Sequence, residues 1–140
     1  MTDKKIVSIV LNAALLVWFS LDMIGVYFNN SYLVTRSWSD DGFFWIIYTV
    51  FFVAFLTKEK AGKPLLVVWL SVWLVIQLIS HELCFLTEKT ESMIEYFKGS
   101  LKWIDSEQVY IPDVYHTLLH ILIILALIST IKYRIKSNDK

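Results

Sequence analysis

The 140-residue chain holds one cysteine, two prolines and four glycines, and each shortage excludes something. A lone Cys84 cannot close an internal disulfide, nor run the dithiol chemistry of membrane thiol oxidoreductases, which needs paired cysteines. It is expected to behave as a small buried apolar side chain. Scarce glycine and proline leave no flexible linker and no low-complexity tract, so residues 1–140 read as a single domain. An excess of charge of one sign is also missing: 13 Lys and Arg balance 13 Asp and Glu. No basic surface is offered to nucleic acid. No internal inverted symmetry of the transporter kind is evident.

What is abundant is apolar. Hydrophobic residues make up 56% of the chain and aromatics 16%, with a mean hydropathy of +0.56, a composition foreign to soluble domains. Four stretches, 6–28, 38–57, 64–86 and 112–133, each approach the roughly 20 residues that a spanning helix requires. The expected fold is therefore all-α, a polytopic membrane protein with four transmembrane helices. The second stretch is the shortest in strictly apolar residues, from Phe43 to Leu56, so Asp40 and Asp41 must sit at headgroup level. The first stretch is too long for a signal peptide and is expected to stay as an anchor.

Basic residues set the orientation, because cytoplasmic flanks collect Lys and Arg. Lys4 and Lys5 precede the first stretch, Lys58, Lys60 and Lys63 join the second to the third, and Lys132, Arg134, Lys136 and Lys140 follow the fourth. Both termini are thus expected in the cytoplasm of a cell-membrane protein. The short connection at 58–63 makes its two helices antiparallel neighbours, and an up-down-up-down bundle follows. The one long connection, 87–111, is expected outside. Within it Ser92 and Glu95 fit a capping box, and Met93, Phe97, Leu101 and Ile104 recur at helical spacing. That pattern predicts a short external amphipathic helix over about 92–104, with Trp103 as interfacial anchor.

Ionisable side chains inside the apolar stretches are costly, and so mark candidate sites. Counted at about 1.5 Å per residue from the outer helix ends, Asp22 lies about 9 Å deep, His81 about 7, His116 about 6 and His120 about 12. They share one outward layer, while the inner halves of the helices are almost wholly apolar. An aqueous path across the bilayer is therefore not expected. His116 and His120 are i,i+4 neighbours whose rings can converge. Trp69, Trp73, Gln77 and His81 form a stripe on the third helix, as do Trp18, Asp22 and Val26 on the first. If the stripes face the bundle axis, Asp22, Gln77, His81, His116 and His120 line one cavity, with Glu82, Asp41, Tyr48 and Tyr115 near its mouth. The bland alternative is a structural Asp to His hydrogen bond between helices, together with histidines satisfied by backbone carbonyls.

Neutral imidazoles plus a carboxylate are zinc or iron ligands, and three protein ligands leave an open catalytic position. On that expectation His81, His116 and His120 bind the metal, and Asp22 or Glu82 is a fourth ligand or general base. Gln77 and Tyr48 contact the bound group, and the substrate is a lipid-borne or external small molecule. No His-Glu-x-x-His motif is present, since His81 and Glu82 are followed by Leu83, Cys84 and Phe85. Two other expectations stand beside it. One is a non-enzymatic accessory or ligand-binding subunit; the other is a redox subunit holding haem or quinone, although few small residues open room for a haem. The lipid bilayer is the expected partner, with a homo-oligomer or a larger membrane complex beside it and no Gly-x-x-x-Gly face to predict its geometry.

Overall fold

A computed structural model describes residues 3–83, 90–104, 106 and 110–133. In chain order the elements are α1 (Asp3–Ile24), a hairpin of β1 (Val26–Tyr27) and β2 (Tyr32–Val34), α2 (Trp38–Thr57), α3 (Glu59–Gln77), a wide turn over Leu78–Glu82, α4 (Thr90–Tyr96) and α5 (Val114–Lys132). Four of these helices are long and apolar enough to cross a membrane: Asp3–Ile24, Trp38–Thr57, Glu59–His81 and Val114–Lys132. Their outer faces carry bare aliphatic side chains, with Val17 68% and Val68 63% exposed. Exposed apolar faces of this extent mark a surface suited to contact with lipid or another protein.

Local chemistry explains where each helix stops. The first was expected to run to Phe28, but Gly25 takes a left-handed φ of 75°, the usual conformation that closes a helix. Residues beyond it enter the antiparallel hairpin, with Val26 opposite Val34. Between α2 and α3 stands Lys58 alone, whose carbonyl accepts from the Gly62 N–H at 2.8 Å, so α3 starts at Glu59 rather than at Pro64. Gly62 is required there, because a Cβ would lie 2.2 Å from backbone atoms of Ala54 and Phe55. At its far end α3 leaves α-helical geometry: the Leu83 N–H reaches back five residues to the Leu78 carbonyl at 3.0 Å, a π-type turn.

The amphipathic helix expected over 92–104 is shorter, ending at Tyr96. Gly99 takes a φ of 86°, and the next residues find partners outside any helix. Tyr32 N–H donates to Gly99 O at 3.1 Å, Leu101 N–H to Tyr32 O at 2.8 Å and Val114 N–H to Leu101 O at 2.9 Å. These bonds tie the hairpin to the start of α5.

Each of α1 and α3 packs against both α2 and α5. Aromatics fill the centre, the Trp73 ring lying 4.6 Å from Phe19 and 5.6 Å from Tyr48. Ser8, Asn12, Tyr48 and Thr130 are fully buried there and satisfy one another. Asn12 Nδ2 donates to Thr130 Oγ1 at 3.0 Å, and the Tyr48 hydroxyl donates to the Asn12 carbonyl at 2.9 Å and to Oδ1 at 3.0 Å. These side chains are the polar exceptions within stretches that are otherwise almost wholly apolar. This layer also removes Tyr48 from the cavity mouth, since Tyr48 is ten residues, about 15 Å, along α2 from Trp38. Beneath it Glu59 receives hydrogen bonds from Lys5 and the Tyr133 hydroxyl, and Lys63 donates to the Tyr133 carbonyl.

Candidate functional site

At the opposite end, where α1 finishes and α5 begins, the structure encloses a cavity of about 260 Å³. Three carboxyl groups border it. Asp22 comes from the last turn of α1, Asp41 from the first turn of α2, and Asp113 from the residue before α5. Asp22 is 4% and Asp113 1% exposed. Ser37, whose backbone N–H bonds the Asp22 carbonyl at 2.9 Å, brings the two helix ends together. The Asp22 and Asp41 carboxyls thus border the same cavity from two different helices.

Asp113 has two tasks at once. As the N-cap of α5 its Oδ1 accepts from the His116 backbone N–H at 2.9 Å, satisfying an orphan donor of the first turn. The same oxygen lies 2.8 Å from His116 Nδ1. An acceptor there requires the hydrogen on Nδ1, which leaves Nε2 as the acceptor of a ring that borders the cavity. A histidine so oriented by a carboxylate is equipped to take a proton from a bound molecule.

The three histidine rings lie together in a particular way. His81 stacks on His116 with ring centroids 4.3 Å apart and planes 27° from parallel, and meets His120 edge-on at 5.6 Å. His81 Nδ1 bonds the Tyr110 hydroxyl at 2.9 Å, and His120 Nε2 bonds Gln77 Oε1 at 3.3 Å. Thus Asp22, His81 and His116 border the cavity, while Gln77 and His120 pair with each other behind His81. The Glu82 side chain lies outside the described residues. Stacked imidazoles send their in-plane lone pairs side by side rather than to one point, so the ring geometry gives a shared metal no help. Among the described residues no group of three His, Cys, Asp or Glu is placed to hold a metal ion.

Aromatic side chains close the other wall: Tyr32 from β2, Tyr96 from α4, and Phe97 just beyond it. The Phe97 ring is 5.0 Å from His116 and 5.7 Å from His81. Burial, then the carboxyl groups nearby, push the Tyr32 and Tyr96 phenols up from their ordinary range. Both remain hydrogen-bond donors over an acidic floor.

Several of these residues escaped the sequence reading. Asp113 was findable, because an Asp directly before an apolar helical run is a capping signal. Tyr32, Ser37 and Tyr96 carry no such signal, since the hairpin and the cross-link to Gly99 place them. The chain matches no family model, no curated protein and no solved structure, so the chemistry of these side chains is the ground on which its function is judged.

Proposed function

We propose that the chain is a small integral membrane protein whose helices run up-down-up-down, with both termini and the Lys58 to Lys63 joint on the cytoplasmic side. Lys4, Lys5, Lys58, Lys60, Lys63 and Lys132 at that end support this orientation. The cavity then opens outward, beneath the hairpin and α4. It takes up a small hydrogen-bonding molecule from outside or from the outer leaflet, and His116, oriented by Asp113, is its proton acceptor. The observation that carries the reading is the 2.8 Å bond between Asp113 and His116 at the wall of an acid-lined cavity. Three histidines on one metal have weaker support, because their ring nitrogens point to Tyr110, Asp113 and Gln77 instead.

Histidine carbethoxylation with diethyl pyrocarbonate tests it, using mass spectrometry to locate the product in protein held in mild detergent. His116 should react ahead of His120, whose side chain is buried behind the cavity. Asp113→Asn should slow the His116 reaction about tenfold, the worth of one charge-assisted hydrogen bond of about 1.5 kcal/mol. An inert His116 beside a reactive His120 would defeat the proposal. Metal analysis and an absorbance spectrum on the same sample guard against the alternatives. Stoichiometric zinc or iron lost on His81→Ala and His120→Ala would install the metal reading in its place, and a Soret band the haem reading.

A further inference from the structure

The cavity wall narrows the class of molecule it receives. Asp22, Asp41 and Asp113 border it, and among the described residues no lysine or arginine does. An anion entering it would lose its hydration and meet three carboxyl groups, with no lysine or arginine and only the His81 and His116 imidazoles to offset them, a cost of several kcal/mol by general desolvation arguments. A cation meets the reverse. The aromatic wall acts in the same direction, because a cation among Tyr32, Tyr96 and Phe97 is attracted by the quadrupole of any ring whose face it meets. Low-dielectric walls around charge of one sign also focus the field, raising the local concentration of the opposite sign by about 10 to 1,000-fold.

We infer that the cavity selects a small organic cation, an ammonium group held between the Asp22, Asp41 and Asp113 carboxyls and the Tyr32, Tyr96 and Phe97 rings. This rests on the outward pocket proposed above and adds the charge of its ligand. An ammonium brings donors only, which suits a floor of acceptors.

Charged thiol reagents test the inference without knowledge of the natural ligand. Thr35 borders the cavity, so Thr35→Cys in a Cys84→Ser background puts one thiol at the wall, with Met93→Cys, also at the wall, as a second position should the first variant fold poorly. In sealed proteoliposomes the rates of a cationic, an anionic and a neutral methanethiosulfonate are compared, each relative to its rate with free cysteine. The cationic reagent should gain at least about tenfold over the anionic one. The gain should collapse when Asp41→Asn and Asp113→Asn are combined, and methylammonium should slow cationic labelling. Equal relative rates for the two charges, with brisk neutral labelling, would overturn the cation inference and leave the pocket standing. Failure of all three reagents to reach either thiol would overturn both.

Discussion

Replacing Gly62 by alanine tests the packing at its tightest point. A Cβ at this position would lie 2.2 Å from Ala54 C and Phe55 N and 2.4 Å from Ala54 O, all main-chain atoms of α2 that no rotamer change can move. Ordinary carbon contacts sit near 3.5 to 4.0 Å, so the first turns of α3 must withdraw by more than about 1 Å. The withdrawal has nowhere to go, because only Lys58 separates α2 from α3 and its carbonyl already accepts from Ala61 and Gly62. Overpacking of this kind costs about 1 to 3 kcal/mol, and the backbone nature of the clash places it at the upper end. Alanine regains up to about 1 kcal/mol of helix propensity, leaving a net loss of about 2 kcal/mol. Gly42→Ala is the matched control. The atoms nearest its Cβ would be those of the Trp38 side chain, from 3.3 Å, and Trp38 is 47% exposed and free to yield. That change should be neutral or stabilising by up to about 1 kcal/mol. Unfolding in dodecylmaltoside with rising SDS, followed by helical circular dichroism, measures both. A Gly62→Ala protein that unfolds at the same SDS fraction as the parent would refute the reasoning.

Asn12→Ala should cost about 2 kcal/mol in the same assay, from the lost hydrogen bonds to Thr130 and Tyr48, at about 0.6 kcal/mol each in a membrane protein, plus the cavity left behind. An unchanged midpoint would show that this buried layer holds nothing together. At the other end of the titration range, burial and the bond to Glu59 push the Tyr133 phenol up to about 12. Its folded value lies above the ordinary 10, so its contribution is whole below pH 10 and is lost as pH rises from 10 to 12. Stability measured from pH 9 to 12 should therefore fall more steeply in the parent than in Tyr133→Phe, and parallel curves would contradict this.

Periodicity and hydropathy carry the long elements, because a spanning helix is specified by some twenty side chains at once. The second expected stretch coincides with α2, and the grouping of Asp22 with His81 and His116 follows from their shared distance to the helix ends. Single residues with backbone roles are harder to read. Gly25 and Gly99 redirect the chain through positive φ, and hydropathy passes over both, overrunning the end of α1 and extending α4. Tyr48 shows the other difficulty. A phenol in an apolar stretch fits a polar mouth as well as a buried partner, and only the position of Asn12 on the neighbouring helix settles the matter. The wall formed by Tyr32 and Tyr96 depends on contacts across more than sixty residues of chain, which no local pattern encodes.

The wide turn at Leu78–Glu82 bears on how kindred pockets could be found. Its hydrogen bond spans five residues instead of four, so one surplus residue sits between the Gln77 that pairs with His120 and the His81 that stacks on His116. A protein with the same pocket built on an unbroken α-helix would reach the same ring position with one residue fewer. Spacing between polar residues on this helix is therefore a misleading signature of kinship, since the same pocket on an unbroken helix would carry its histidine one residue nearer to Gln77.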